Sequence, residues 1–335
     1  MIFGPVALPE ALDAVLAHSI ALPGGRLRKG QRLSGDDLER LRAAGHVRVV
    51  VARLEAQDLD EDSAALALAR ALVQGPQGAG LALSPVGTGR VNILAQTPGI
   101  ARIDAACINA ANGIDPALTV ATVPHWHRME PGGMLATVKV IPYAVHAGAV
   151  TRACDAARGG VSLAPPVISE AGFIETVLDR AAPSAADKGH RVTAERLSRL
   201  GVDLWPARRV PHDEESLARA LTQTPSPPLI LILTASATSD ARDTAPQALR
   251  LAGGSVTHFG MPVDPGNLLF IGRLGPSTVI GLPGCARSPA LNGADWVLER
   301  IVCGVPVSAA DIQRMGVGGL LKEIPSRPRP RTRRS

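Results

Sequence analysis

The run PLILILTAS (Pro228 to Ser236) most constrains the fold. Six apolar residues, Pro228 to Leu233, follow one another with no polar alternation, so both sides of the segment must be covered. A strand covered on both faces sits inside a parallel or mixed sheet with helices above and below it. The flanking sequence fits that demand. APPVIS, VDLWPA, SVTHFG and STVIGLPG read as further strands, and RVTAERLSRLG, DEESLARALTQ, TAPQALRLAG and PALNGADWVLERIVCG as helices. Strands and helices in alternation from about Ala164 to Val305 predict an α/β domain with a three-layer arrangement. Aromatic residues make up only 2% of the chain, so its layers must be packed from Ala, Val, Leu and Ile. In such sheets ligands sit beyond the carboxyl ends of the strands.

The front of the chain is different. Residues 9–20 (PEALDAVLAHSI) have apolar positions at helical spacing behind a proline and predict a helix. ALPGGRLRKGQRLS reads as a loop. Ser34 is placed to cap a helix that Gly45 stops, HVRVVVARL reads as a strand, and DEDSAALALARALV as a helix with acids in its first turn. Between about Gly80 and Tyr143, GRVNILAQ, ALTVATV and GMLATVKVIP are short strand-like runs between Gly/Pro turns. HAGAVTRACDAARG then reads as a helix. These changes predict an N-terminal mixed α+β segment (1–79), a β-rich middle (80–160), the α/β domain (161–307) and a helix with a basic tail (308–335).

The formal charge is +5, and residues 327–335 (RPRPRTRRS) carry five arginines and no acid. The remainder is therefore close to neutral. A Pro-broken arginine run is expected to be disordered, and nucleic-acid binding is not expected. The four cysteines form no CxxC pair, MIFGPVALPEAL lacks the pattern of a signal peptide, and no apolar run spans a bilayer. A cytoplasmic protein with reduced thiols and no membrane partner is expected.

Two strand-end loops could carry chemistry. The first is TASATSDARDTAP (Thr234 to Pro246). Small and hydroxyl residues there could form an anion cradle of backbone N–H groups, with Arg242 as a bidentate phosphate clamp. Asp243 could hold a metal ion or cap the next helix. The second is VIGLPGCARSP (Val279 to Pro289). Gly281 and Gly284 permit an unusual backbone path, Pro283 directs it, and the N–H groups of Gly284 to Arg287 would face the crevice. Ser288 reads as a helix N-cap with Pro289 in the first turn. The alternative is a tight connection with no ligand.

TASATSDARDTAP resembles the TGGTGPARRDVTP segment of the molybdopterin-binding domain family (MogA-type adenylyltransferases), matching at Thr234, Arg242, Asp243 and Pro246. Residues 263–291 (VDPGNLLFIGRLGPSTVIGLPGCARSPAL) resemble a stretch of the related MoeA-type molybdenum-insertion enzymes at Pro265, Gly266, Gly272, Gly281 to Gly284, Ser288 and Leu291. Residues 9–51 resemble the front of that enzyme more weakly. The resemblance implies that the loops grip the pterin and its phosphate at the carboxyl edge of the sheet. Carried over by position, the binding residues would be Thr234, Ser236, Ala237, Thr238, Ser239, Arg242, Pro265, Gly266, Pro283, Gly284, Cys285, Arg287 and Ser288. Asp243 would be the catalytic acid and would hold Mg²⁺. The ligand would be molybdopterin or its nucleotide form. Partners would be a nucleotidyltransferase or an apo-molybdoenzyme, and a homodimer is implied.

Two departures stand out. The family's Gly-Gly has become Ala235-Ser236, and the Asn-Pro after GLPG has become Cys285-Ala286. The acids nearest the family's acidic strand-end segment, Glu170, Glu175 and Asp179, do not reproduce its pattern. The missing acidic pattern and the lost Gly-Gly both favour a carrier that hands the cofactor on over an adenylyl- or molybdenum-transferase. Elsewhere, His125-Trp126-His127 supplies two metal-type ligands without further partners at a telling spacing. Gly87-Thr88-Gly89-Arg90 precedes a strand, which excludes a phosphate loop but leaves Arg90 as a possible contact. Cys285 reads as a nucleophile or as a small residue in a turn. Ser236 has no His/Asp pattern of a hydrolase.

Overall fold

The computed structural model describes residues 1–75, 79–178, 183–223, 225–264 and 266–321, with the side chains of 183–187 left aside. Pro265, Asp179 and the arginines of 327–334 lie outside these residues. Contacts divide the chain into two compact units, Met1–Thr97 with Ala101–Leu163, and Pro98–Ile100 with Ala164–Ser335. Both mix helices and strands.

In the first unit the chain runs β1 (Ile2–Ala7), a 3₁₀ turn (Leu8–Ala11), β2 (Val15–Leu16), β3 (Ile20–Leu22), β4 (Gly25–Leu27), α1 (Gly35–Ala43) and β5 (Arg48–Arg53). The helix expected over 9–20 is absent. Asp13 adopts a φ of +62°, which ends the 3₁₀ turn. Backbone pairing then takes over, with Asp13 N–H bound to Leu33 O, Leu16 N–H to Gln31 O and Leu33 N–H to Ala14 O. The periodic apolar residues Leu8, Ala11, Ala14 and Leu16 are buried as expected, in a cluster with Leu38, Leu41 and Val51, but from strands and turns. The loop expected at 21–34 contains the β3–β4 hairpin. Ser34 does cap α1, in a capping box with Asp37, and Gly45 follows at φ +84°.

The unit continues with β6 (Asp58–Asp60), α2 (Glu61–Leu72), β7 (Leu81–Leu83), β8 (Arg90–Ala95), β9 (Gly99–Ile103), α3 (Ala105–Asn112), β10 (Leu118–Thr122), β11 (Arg128–Met129), β12 (Met134–Val140), β13 (Ala144–His146), α4 (Ala147–Ala157) and β14 (Val161–Ala164). The expected strands of the middle region form an antiparallel sheet in the order β10-β12-β8-β7. Its inner face packs on α2 and α4 through Leu68, Leu72, Ile93, Val138 and Val150.

The second unit contains β15 (Glu170–Val177), α5 (Pro183–Ser198), β16 (Asp203–Leu204), β17 (Arg208–Pro211), α6 (Glu214–Gln223), β18 (Leu229–Leu233), α7 (Thr244–Leu251), β19 (Ser255–Met261), β20 (Asn267–Leu274), β21 (Ser277–Leu282), α8 (Gly293–Val302) and α9 (Ala309–Arg314). The sheet order is β16-β15-β18-β21-β20-β19, with β17 also paired to β15. The strands β15 to β18 and β21 are mutually parallel where they pair, and β20 and β19 are antiparallel. Every residue of β18 is buried, as its unbroken apolar run requires. Ile230 and Ile232 pack into a cluster with Leu217 and Leu221 of α6 and Ala248 and Leu249 of α7. APPVIS is not a strand; its two prolines leave 165–169 irregular between β14 and β15. No described helix is long and apolar enough to cross a membrane, and the four cysteines form no disulfide.

Gly281 lies in the strand and serves packing. A Cβ there would stand 1.9 Å from Cε1 of Phe270, its buried neighbour across the pair. At Gly284 a Cβ would meet nothing within 4 Å, and its φ is not left-handed. The expectation that both glycines bend the turn is corrected. Gly281→Ala is expected to lower stability by about 1–3 kcal/mol through overpacking. Gly284→Ala should stay within about 0.5 kcal/mol of the parent. Urea unfolding of both variants checks the pair.

Candidate functional site

Strand register assembles one edge. Glu175 of β15, Leu233 of β18 and Leu282 of β21 stand level, so the segments after them leave the sheet side by side. Phe270 is level with Gly281 on the antiparallel β20, which brings the turn at 262–264 to the same edge. Pro211 of β17 is level with Val177, so His212 follows there too.

In the loop after β18, Thr234 and Thr238 are buried while Ser236, Ala237 and Ser239 are exposed. The Thr234 hydroxyl donates to Ser236 O at 2.6 Å and lies 3.5 Å from that of Thr238. The Ala235 N–H is held at 2.9 Å by Oγ1 of Thr176, at the end of β15. Asp243 caps α7. Its Oδ1 accepts from Thr244 N–H at 2.7 Å and its Oδ2 from Ser239 N–H at 2.8 Å, so it also ties the loop back on itself. Burial alone would push this carboxyl up, but those bonds, with the nearby His212, bring it below the usual carboxylate value.

Arg242 bonds within its own loop. Its side chain is 85% exposed and turns to Asp240, 3.5 Å away. Both Asp243 oxygens are engaged by backbone N–H groups, and among the described residues no three His, Cys, Asp or Glu groups converge.

The loop after β21 is held from beneath. Pro283 is buried, and Gly284–Arg287 form a 3₁₀ turn. Ala286 N–H is bound to Pro283 O and Ser288 N–H to Cys285 O, so the expected row of free N–H groups is interrupted. Ser288 does not cap the following helix. That helix starts at Gly293, with Asn292 and Asp295 in a capping box. Arg196 of α5 explains the intervening shape. Its side chain is 8% exposed, and its guanidinium pairs with Asp295 at 2.5 Å. It also donates to the carbonyls of Ala286, Ser288 and Ala290.

The two loops are joined by Arg287, which donates to Thr234 O at 2.8 Å and approaches Glu175 to 4.0 Å. The Glu175 side chain is 2% exposed and also lies 3.5 Å from Arg209 of β17. Gly189 of α5 allows this close fit, since a Cβ there would be 2.6 Å from Leu233 Cδ2 and 3.3 Å from the Glu175 carboxylate. Cys285 is half-buried beside this junction. On the β20 side, Gly266 is exposed at φ +95°, and Asn267 is 5% exposed. The Asn267 Oδ1 accepts from Leu269 N–H, but its buried Nδ2 has no hydrogen-bond partner. A buried donor without a partner at the edge fits a polar ligand.

The structure thus gathers Thr234 to Ser239, Asp243, Gly266, Pro283 to Arg287 and Ser288 along one edge, and leaves the Arg242 side chain exposed. Arg196, His212 and Asn267 were missed by sequence reasoning. Arg196 carried no readable signal, because its partners lie about 90–99 residues away. Glu170, at the start of β15, accepts from Trp205 Nε1 at 3.0 Å and is not at this edge.

The other motifs have structural roles. His125 Nδ1 accepts from Ile103 N–H, and its ring lies 4.0 Å from that of Trp126, which sits at φ +66° under Arg102. Gly89 N–H is bound to Asp62 at 2.6 Å, and a Cβ there would meet Val140 O at 2.8 Å, so GTGR is a packed turn with Arg90 exposed.

A family model described as "Domain of unknown function (DUF8806)" matches residues 5–53, the segment that forms the small N-terminal core. No curated protein matches the chain. Among solved structures, Molybdenum cofactor biosynthesis protein B is similar at 15% identity, over 40% of this chain and 88% of that one, with a TM-score of 0.29. A molybdopterin biosynthesis moeA protein from Pyrococcus horikosii is 13% identical over 90% of this chain and 75% of its own, with a TM-score of 0.30. A molybdenum cofactor biosynthesis protein from Pyrococcus furiosus is 12% identical over 91% and 66%, with a TM-score of 0.24.

Two measurements check the site's framework. Arg196→Ala leaves Asp295 without its buried cation and is expected to cost about 3–5 kcal/mol. Hydrogen exchange should quicken first in residues 284–292. Asp243→Asn should destabilise at neutral pH. Because the folded carboxyl lies below its ordinary value of about 3.9, the ionised form is the stabilising one. The difference between parent and variant should therefore shrink as pH falls below about 4, which unfolding curves at pH 3 and pH 7 would test.

Proposed function

We propose that the chain binds molybdopterin, or its nucleotide form, in molybdenum-cofactor biosynthesis, with the pterin phosphate at the carboxyl edge of the second unit's sheet. The observation that carries this reading is the bond from Arg287 to Thr234 O. It joins into one edge the two loops whose sequences resemble the family's ligand loops. A three-layer α/β domain is part of the same reading. Ser236, Ala237 and Ser239 would present backbone and hydroxyl groups to the phosphate, and Gly266, Gly284 and Asn267 would border the pterin side.

Between transferase and carrier, Asp243 favours the carrier. Its two oxygens cap α7 and close the loop, so the residue that matches the family's acid has a structural occupation. The carrier would pass the cofactor to a nucleotidyltransferase or an apo-molybdoenzyme.

The test is equilibrium binding of molybdopterin to the full chain, with and without ATP, CTP or molybdate, followed by product analysis. Saturable binding with no nucleotide or molybdenum transfer is expected, and Asp243→Asn should keep affinity within a few-fold once folded. Turnover lost in that variant would replace the carrier with an enzyme. No binding of any pterin would end the proposal.

A further inference from the structure

His212 stands at the same edge, and no motif pointed to it. It follows β17 directly and is half-buried. Its Nδ1 lies 2.9 Å from Oγ1 of Thr176, a residue 1% exposed. The same Oγ1 accepts the Ala235 N–H at 2.9 Å. Thr176 has one hydroxyl hydrogen, and its position in the protein interior denies it water. The acceptor within reach is His212 Nδ1. Donation from Thr176 therefore fixes the neutral ring as the tautomer protonated on Nε2.

Nε2 sits on the far side of the ring from Thr176, and no described group bonds to it. Nearby charge includes Asp243, on which His212 acts electrostatically, and Asp213, whose carboxylate is occupied by the Ser216 N–H. Arg242, the cation expected on this side of the loop, is turned to solvent. The edge therefore has an oriented N–H donor, linked through one hydroxyl to Ala235, the second residue of the TASATSD loop.

We propose that His212 is a ligand-contacting residue of this edge, its Nε2–H donating to an oxygen of the bound phosphate monoester. The inference rests on the reading of the edge as a phosphate-bearing ligand site. Thr176 is then a positioning residue, since it acts through the ring and through Ala235.

Two experiments on the full chain test it and separate its failure from that of the function proposed above. In the first, binding of molybdopterin is compared with binding of the same pterin after phosphatase treatment. His212→Ala should weaken the phosphorylated ligand on the order of 10- to 100-fold, the range for a hydrogen bond to a charged group, and leave the dephosphorylated one unchanged. His212→Gln, which keeps a donor and an acceptor, should recover part of the loss. Equal affinity of parent and Ala variant, or equal losses for both ligands, overturns the inference and leaves the binding function standing. The second is a titration of ¹⁵N-histidine-labelled parent protein with inorganic phosphate, with His212 assigned from His212→Gln. In the free protein His212 should show the Nε2-protonated tautomer, and phosphate should shift its Nε2 signal saturably. This arm needs no pterin. An unmoved Nε2 signal, or protonation on Nδ1 alone, overturns the inference even where molybdopterin binds.

Discussion

A buried guanidinium organises the edge. Arg196 leaves water almost completely, which is costly unless each of its donors finds an acceptor. The acceptors are one carboxylate and three carbonyls from a single stretch of chain, Ala286 to Asp295. To satisfy one cation, that stretch must curl around it. The curl delays the start of α8 to Gly293 and leaves Arg287 free to reach β18. Asp295 serves twice, as the partner of Arg196 and as the reciprocal acceptor for Asn292 N–H. The helix start and the loop shape therefore depend on the same carboxylate.

The remaining polar groups of the edge form short chains of the same kind. Thr176 connects β15 to the loop after β18 and to His212 after β17. Arg287 connects the loop after β21 to Thr234. Glu175 lies between the arginines of β17 and of the loop after β21. These links cross between strand ends, and that of Arg287 to Glu175 spans β18, so the edge is preorganised by cross-strand bonds rather than by the internal stiffness of any loop. Asp243 adds a bond within its loop and anchors it to the dipole end of α7.

The parts legible in sequence were those governed by local rules. PLILILTAS gave its strand because a run apolar on both sides has few other homes. Ser34 caps its helix because a short oxygen before a helical pattern satisfies the first N–H groups wherever the helix packs. Residues 9–20 misled because helical spacing buries Leu8, Ala11 and Leu16 equally well from turns, once the chain at 31–33 supplies backbone partners. At 285–292 the rule for Ser288 and Pro289 was sound in itself, but Arg196 held the loop and Asn292 offered the better cap. Arg242 was chosen for its charge and its neighbours in sequence, whereas Asp240, two residues away, takes its head group. His212 and Asn267 matter through what lies across the sheet, which spacing along one chain does not encode.

The contact of Phe270 with Gly281 has a wider meaning. The glycine that opens the Gly-Leu-Pro-Gly signature marks where an aromatic ring of the adjacent strand takes the space a Cβ would need. That half of the signature reports a neighbour's shape rather than a ligand's. A chain could lose every pterin contact and still show it, while a chain with a smaller residue at 270 could bind the same ligand without it. Recognition of such domains by motif would gain from reading positions 270 and 281 as a pair.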